Sequence, residues 1–416
     1  MLESSAPAVS LRDLFPARQA ATDPLEVRVV SERLRRRTRR RLLLREVRFD
    51  SHEWQQGTVR IAAFVAVPLG LGPVPAMVVG AGDLKRAADF AARHQIGCLC
   101  FDRPGTGAST GPADEYANWI HFDHPREGWM WHYVYAALRA LTYLQSLPEV
   151  DPTRLGITGY SRGDTMAYIA NGVDPRICVS VPQASAGGIL GAVDVGGWAA
   201  SLHRDAAGRP YVPEAFYEFA RYYDPALYAD MQNGLVMPII GAQDEFFPLE
   251  TVAGTVRAMS PRCRLELIAN WDHAYFAGGN ADVDAFDNRR AFRTRTRRWL
   301  AAATRCLREG GNTIPPMPVL QVDERGQELH WEITAAHHED MVRGRLWYST
   351  DGAYTFAATR AVRCAAGFVT RLRLSRDVAA GLAAFAEVEY RQGPLISSLP
   401  YLGPAFCQRL RPFPEQ

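Results

Sequence analysis

The chain has 416 residues, 47% of them hydrophobic and 22% charged, and a formal net charge of +2 at pH 7. This length predicts two domains or one large domain with an appendage, and the balanced charge argues against nucleic acid or an anionic membrane as a partner. There is no apolar run of the ~18 residues that span a membrane, no apolar leader and no Cys-x-x-Cys pair, so we expect a cytoplasmic protein with reduced thiols.

The first 50 residues are predicted as a helical, arginine-rich segment. Eight arginines lie between Arg33 and Arg45, and the only lysine of the chain is Lys85. Such a run could bind nucleic acid or lipid, but an isolated charge run is more often a solvated helix face. We therefore expect Leu34 and residues 42–44 to form the buried side of a helix.

Short apolar runs then alternate with helical stretches, which predicts a mostly parallel sheet flanked by helices over residues 51–310. The predicted strands are residues 59–68, 76–79, 97–102, 154–160, 177–182, 235–242 and 264–269. An arginine-rich helix at residues 284–307 should close this domain.

The segment of residues 187–234 is too long for a simple connection between two strands and is rich in aromatic residues. Insertions of this kind often form a cap over an active site. Core packing and substrate contact both remain open for its aromatic residues, among which Trp198 and Phe216 are candidate substrate contacts. The loop at residues 119–131 is a second candidate for shaping the pocket.

Residues 311–416 switch to short alternating strands, predicted at 328–333, 343–348, 368–374 and 383–390. This pattern is typical of a small antiparallel β-sandwich. The sandwich could contribute to a substrate pocket or to a homodimer interface, and the sequence leaves both open.

Ser161 is the candidate nucleophile. It occupies the centre of the Gly-x-Ser-x-Gly pattern at residues 159–163, between a strand-like run and a helix-like run. A sharp turn from strand to helix strains the backbone of the central serine, so small residues are needed on both sides, here Gly159 and Gly163.

An acid and a histidine follow in the chain order that such a serine requires. Asp244 ends one predicted strand and is the candidate orienting acid, while His273 follows the last strand as the candidate base. Glu245 could replace Asp244 only if the loop turned differently. Asp272 is a weaker candidate, because adjacent side chains on an extended loop point apart.

The oxyanion of such a reaction needs N–H donors. The residue after the nucleophile, Arg162, is one candidate, and Ala81 or Gly82 in the turn at residues 80–83 is the other. Tyr160 and Phe246 flank the candidate nucleophile and acid, and are predicted to contact substrate.

His121, Asp123 and His124 offer three metal-ligating side chains within four residues. Their spacing does not match zinc motifs, so we expect pocket-lining or helix-capping roles and neither a metal nor a cofactor. His337 and His338 are expected at the surface.

The Asp-x-x-Gly-x-Gly-x-Ser pattern at residues 102–109, the serine motif at 159–163 and the acid loop at 241–248 resemble α/β-hydrolases. They are similar to acetylxylan esterases, to dienelactone-hydrolase-like proteins and to the PhoPQ-activated pathogenicity-related group. The resemblance implies an α/β-hydrolase fold with a cap insertion and a C-terminal antiparallel β-sandwich. Asp164 and the Gly-Ala pair at residues 80–81 depart from the usual pattern and leave the substrate open.

These residues predict a serine hydrolase that cleaves a small-molecule carboxylic ester through an acyl-enzyme formed on Ser161. The same triad could instead serve an acyltransferase, an amidase, or a hydrolase or lyase that cleaves a carbon–carbon bond. A binding protein that has kept the fold without turnover is the alternative from another class.

Overall fold

The computed structural model describes residues 9–37, 40–55, 57–197, 207, 211–273, 285–325, 328–391 and 393–409. They divide into two compact units. The first unit is drawn from Met1–Pro182, Pro213–Leu235 and Thr304–Asn312, and the second from Gln183–Val212, Val236–Ala303 and Thr313–Gln416. This division cuts across the predicted boundaries at residues 50 and 310. Within the described ranges, no helix has the length and apolar character needed to cross a membrane.

The helices are, in chain order, α1 (Leu11–Leu14), α2 (Ala17–Thr22), α3 (Leu84–His94), α4 (Tyr116–Ile120), α5 (Trp129–Ser146), α6 (Arg162–Val173), α7 (Ile189–Asp194), α8 (Glu214–Tyr223), α9 (Leu249–Met259), α10 (Ala285–Glu309) and α11 (Arg376–Ala380). The strands up to the start of the sandwich are β1 (Arg28–Arg37), β2 (Arg40–Trp54), β3 (Gly57–Pro68), β4 (Val74–Val79), β5 (Gly97–Phe101), β6 (Val150–Tyr160), β7 (Ile177–Gln183), β8 (Leu235–Val236), β9 (Ile239–Gly241) and β10 (Glu266–Ile268). Those of the sandwich are β11 (Val319–Arg325), β12 (Glu328–Thr334), β13 (Met341–Ser349), β14 (Ala357–Arg360), β15 (Val362–Cys364), β16 (Gly367–Arg373), β17 (Ala383–Tyr390), β18 (Leu395–Ser397) and β19 (Tyr401–Leu402).

The sheet of the first unit has the strand order β1-β2-β3-β5-β4-β6-β7. β4 runs parallel to both β5 and β6, whereas β1, β2 and β3 are antiparallel to their neighbours. Every residue of β4 and β5 is buried, as expected for parallel strands covered on both faces. The predicted parallel sheet flanked by helices is therefore confirmed.

The helical prediction for the arginine-rich run was wrong, because residues 28–37 and 40–54 form the antiparallel strands β1 and β2. β2 also pairs with β3, and its Leu42 and Leu44 pack against α3 in one apolar cluster. Leu34, expected on a buried face, is 60% exposed. Pairing with a neighbouring strand thus outweighed helix propensity, and the arginines line an exposed edge strand, where charge discourages pairing with other chains.

A buried pair of histidines lies in the first unit between β2 and α5. His52 Nε2 lies 2.7 Å from His132 Nδ1, and the second nitrogen of His52 lies 2.9 Å from the hydroxyl of Ser51. Burial, and then the charge of its partner, lowers the pKa of His52 to about 2. Burial also lowers the pKa of His132 to about 4. Both rings are therefore held neutral in the folded protein at neutral pH.

Because of this histidine pair, we expect the first unit to become less stable to unfolding at acidic pH. An unfolded histidine takes up its proton near pH 6.5, whereas the folded pair resists protonation, so stability is lost as the pH falls below about 6.5. Between pH 7.5 and pH 5 we expect the free energy of unfolding in urea to drop by on the order of 2 kcal/mol for each histidine.

The double variant His52→Gln/His132→Gln should have a shallower pH dependence than the wild type. Part of the slope should remain, because burial also lowers the pKa of His94 to about 4. His338→Gln, a change at an exposed histidine, is the matched control. An equal slope in the wild type and the double variant would contradict this account.

In the second unit, β9 pairs in parallel with β10 and with Gln183. The predicted strand at residues 235–242 is interrupted at Pro238, which has no N–H for a sheet hydrogen bond. Helix α10 spans the predicted arginine-rich helix.

The C-terminal residues form two antiparallel sheets, with the orders β11-β12-β16-β15 and β14-β13-β17-β18, and β19 pairs with β17. Leu329 and Trp331 of the first sheet pack with Leu346 and Ala384 of the second. The predicted sandwich is confirmed. Strand β11 was not predicted, because most of its residues are exposed and polar.

Candidate active site

Ser161 stands at the junction of β6 and α6 with φ 55° and ψ −117°, a conformation that non-glycine residues seldom adopt. Its carbonyl oxygen accepts hydrogen bonds from the N–H groups of Asp164 at 2.8 Å and Thr165 at 3.2 Å. The turn is therefore held by the first turn of the helix. This is the strained strand-to-helix turn predicted from residues 159–163.

Gly159 is required by the closeness of this turn, since a Cβ there would overlap the carbonyl group of Gly163. We expect Gly159→Ala to displace the start of α6 and to lower the rate of the predicted ester hydrolysis by about 100-fold, since small misplacements of reacting groups are this costly. Gly254→Ala on α9 is the control, because a Cβ at Gly254 meets no atom within 4 Å. Retention of full activity by Gly159→Ala would contradict the proposed need for this turn.

The turn after β4 lies beside the serine turn. A Cβ placed on Gly80 would come within 3.6 Å of the Cα of Gly163. The hydroxyl of Tyr133 donates to the carbonyl oxygen of Gly80, which fixes the start of the turn. The candidate donors Ala81 and Gly82 follow immediately and are half-buried.

The side chain of Arg162 belongs to a polar and aromatic cluster that the sequence did not reveal. Its guanidinium forms an ion pair with Asp114 and lies 4.4 Å from the ring centroid of Trp119. Arg103 bonds the same carboxylate at 2.8 Å. The indole N–H of Trp119 also donates to Asp114, at 3.2 Å. No motif marks Asp114, because this contact depends on how distant loops fold together.

The Asp-x-x-Gly-x-Gly-x-Ser pattern at residues 102–109 forms a turn closed by hydrogen bonds between its two ends. Asp102 Oδ2 accepts the N–H of Ala108 at 2.9 Å, and Ser109 Oγ donates to the carbonyl of Asp102 at 2.8 Å. Gly107 has φ 55°, and a Cβ there would collide with the Asp102 carboxylate. These residues therefore shape the loop that follows β5.

Asp244 and His273 form a buried pair in the second unit. Asp244 Oδ2 lies 2.9 Å from His273 Nδ1, and the two side chains are 0% and 3% exposed. Asp244 Oδ1 accepts the N–H groups of Phe246 at 2.9 Å and Phe247 at 3.0 Å, so the carboxylate cannot rotate freely. The predicted pairing of Asp244 with His273 is present.

The surroundings of His273 favour its protonated form. Burial opposes the charge, but the carboxylate of Asp244, its hydrogen bond, and the charges of Glu245 and Asp272 together raise the pKa of His273. The ring of Phe246 stacks on the imidazole with centroids 4.1 Å apart. The imidazole can thus accept a proton while its orientation is fixed.

The four residues predicted to contact substrate differ in their burial and in their neighbours. Tyr160 is half-buried at the end of β6, and Phe246 covers the histidine. Phe216 is 1% exposed and packs against Phe219, so packing accounts for its position. Trp198 lies outside the described residues. Direct contact of these side chains with substrate stays a prediction.

His124 has the capping role expected of this segment. Its side chain accepts the N–H of Arg126 at 3.2 Å and caps the short 3₁₀ turn Pro125–Glu127. His337 and His338 lie at the surface, as predicted, with side chains 63% and 49% exposed.

Two solved structures share the fold. An acetyl xylan esterase from Paenibacillus sp. R4 superposes with a TM-score of 0.50 at 18% identity, covering 69% of this chain and 98% of that one. Acetyl xylan esterase 1 from Thermoanaerobacterium sp. JW/SL YS485 gives a TM-score of 0.51 at 17% identity, covering 69% and 93%. The chain has the α/β-hydrolase fold. The fold expected from the resemblance to acetylxylan esterases is thereby confirmed.

Sequence comparison finds similarity to glucuronyl esterases over part of this chain. The family model described as "Glucuronyl esterase, fungi" matches residues 52–208, a range that includes Ser161. A 4-O-methyl-glucuronoyl methylesterase of Podospora anserina is 29% identical over 135 residues, which are 32% of this chain and 28% of that protein. One from Sodiomyces alcalophilus is 36% identical over 63 residues, 15% and 13% of the two chains. The matches therefore span less than a third of either relative.

Proposed function

We propose that this α/β-hydrolase is a serine carboxylic ester hydrolase in which Ser161, His273 and Asp244 act as a catalytic triad. The observation that carries the proposal is the strained backbone of Ser161 at the start of α6. The Asp244–His273 pair supports it, as does the match of residues 52–208, which include Ser161, to the glucuronyl esterase model.

In the proposed reaction, His273 Nε2 takes the hydroxyl proton of Ser161 as the oxygen attacks the ester carbonyl. Asp244 holds Nδ1 and stabilises the imidazolium. The imidazolium then gives its proton to the leaving alcohol, which leaves an acyl group on Ser161. Water, deprotonated in turn by His273, releases the acid and restores the serine.

The negative oxygen of the tetrahedral intermediate needs donors that are already in place. We assign one to the backbone N–H of Arg162, at the N-terminus of α6, where the helix dipole also favours negative charge. The second is assigned to the N–H of Ala81 or Gly82. The side chain of Arg162 is held separately, by the carboxylate of Asp114 and the ring of Trp119.

Labelling with a fluorophosphonate tests the nucleophile. The wild type should be labelled at one site, Ser161→Ala should not, and Ser146→Ala, at the exposed end of α5, should be labelled like the wild type. Equal labelling of Ser161→Ala, or none of the wild type, would refute the proposal. Product analysis with an added acceptor alcohol distinguishes hydrolysis from acyl transfer.

For the substrate, we propose a small-molecule ester, with methyl esters of glucuronate as the first class to test. The curated relatives named for that activity share sequence with part of this chain, whereas the acetyl xylan esterases share only its fold. The model named for glucuronyl esterases matches residues 52–208, which include Ser161. We expect methyl glucuronate to be hydrolysed with a higher kcat/KM than an acetylated xylose. A higher kcat/KM for the acetylated xylose would instead indicate that acetyl esters are the substrate class. A cytoplasmic location and a homodimer stay predictions.

A further inference from the structure

A second buried carboxylate holds the same histidine as Asp244. Glu245 is 3% exposed, and its Oε2 accepts the backbone N–H of His273 at 2.9 Å. The other carboxylate oxygen, Oε1, is buried and has no hydrogen-bond partner among the described residues. Neighbouring acids on one loop thus bind both the side chain and the backbone of His273.

The two acids do not have interchangeable positions. Asp244 is fixed by the N–H groups of Phe246 and Phe247 and meets the imidazole at Nδ1. Glu245 reaches the main chain of the histidine instead. Asp244 therefore orients the imidazole ring of His273, whereas Glu245 holds the backbone of the same residue.

The charged groups that act on this pair come from both loops. Burial, and next the charge of Asp244, raises the pKa of Glu245 to about 7, while the N–H of His273 and its charge act in the opposite direction. Conversely, the charges of Asp244, Glu245 and Asp272 all favour the protonated form of His273. Glu245 therefore exchanges its proton in a pH range where it can alter the basicity of the histidine.

We propose that Glu245 is a positioning residue for the proposed reaction: it fixes the backbone at His273, and its negative charge stabilises the imidazolium formed during catalysis. Glu245 neither donates nor accepts the proton that is transferred. That proton passes from Ser161 to His273 Nε2 and then to the leaving alcohol. This role rests on the proposed function, but the state of the histidine can be measured without turnover.

Glu245→Gln is the informative variant, because its amide oxygen can still accept the N–H of His273 while the charge is lost. A less stabilised imidazolium means a lower pKa for His273. We expect the acid limb of the pH profile of kcat/KM to move down by about half a pH unit. An NMR titration of ¹⁵N-labelled histidine in the full-length protein should show the same shift, with the His273 signals assigned from their loss in His273→Gln.

Glu245→Ala removes the acceptor as well. Here kcat should fall about 10- to 100-fold with KM little changed, because the base is displaced while binding groups stay in place. Glu250→Gln, at an exposed glutamate on α9, is the matched control and should shift neither measurement.

An unchanged His273 titration in Glu245→Gln, or an equal shift in Glu250→Gln, would overturn the role of Glu245. Fluorophosphonate labelling reports separately on the proposed function. A protein that is not labelled but shows the shift in the NMR titration would refute the esterase and keep the electrostatic link between Glu245 and His273.

Discussion

Ser161→Ala should lower kcat for ester hydrolysis by about 10⁴-fold or more, because removal of the nucleophile leaves only binding and oxyanion stabilisation. KM should change little, since a serine hydroxyl contributes little to binding the ground state. The measurement is steady-state hydrolysis of p-nitrophenyl acetate and of methyl glucuronate at pH 8.

His273→Gln should show a similar loss, and the double variant Ser161→Ala/His273→Gln should be no worse than either single variant. Residues that act as one unit have strongly non-additive effects. Additive losses in the double variant would mean that the two residues serve separate steps, and would contradict the triad.

Arg295→Met should destabilise the second unit by about 3–5 kcal/mol, because it breaks a buried ion pair by removing one partner. Arg295 on α10 bonds Glu266 at 2.5 Å and Glu387 at 2.7 Å. The two carboxylates are only 1% and 2% exposed, and Glu387 belongs to β17 of the sandwich. Urea unfolding followed by circular dichroism would measure the loss.

The pH dependence of this loss identifies its cause. Burial already raises the pKa of Glu266 to about 7 in spite of Arg295. Without the arginine, Glu266 should be protonated more readily, and its protonation relieves part of the unpaired negative charge. A raised carboxyl pKa adds stability as the pH falls, so the variant should be less destabilised at pH 5.5 than at pH 8. Arg297→Met, on the exposed side of α10, should cost less than about 0.5 kcal/mol.

The parallel part of the sheet could be predicted because each strand is a short apolar run set between helical stretches. The same reasoning failed for residues 28–54, where local composition favours a helix. Pairing of β2 with β3 supplies hydrogen bonds that the local sequence does not encode, and burial of Leu42 and Leu44 stabilises the strand. Strand formation therefore depends on pairing and burial, which the composition of the segment does not report.

The sequence by itself determined where the reactive groups stand along the chain. The glycines around Ser161 permit one tight turn, and Asp244 and His273 each follow an apolar run that becomes a strand. Only the tertiary structure shows what surrounds them. Asp114 and Trp119 contact the guanidinium of Arg162, and Glu245 accepts a hydrogen bond from the backbone N–H of His273. Spacing in sequence can encode a turn, but contacts between loops and the desolvation that shifts a pKa arise only when distant segments pack together. Ser161 and the acids near His273 were therefore visible in the sequence, whereas the contact of Glu245 with the backbone of His273 was not.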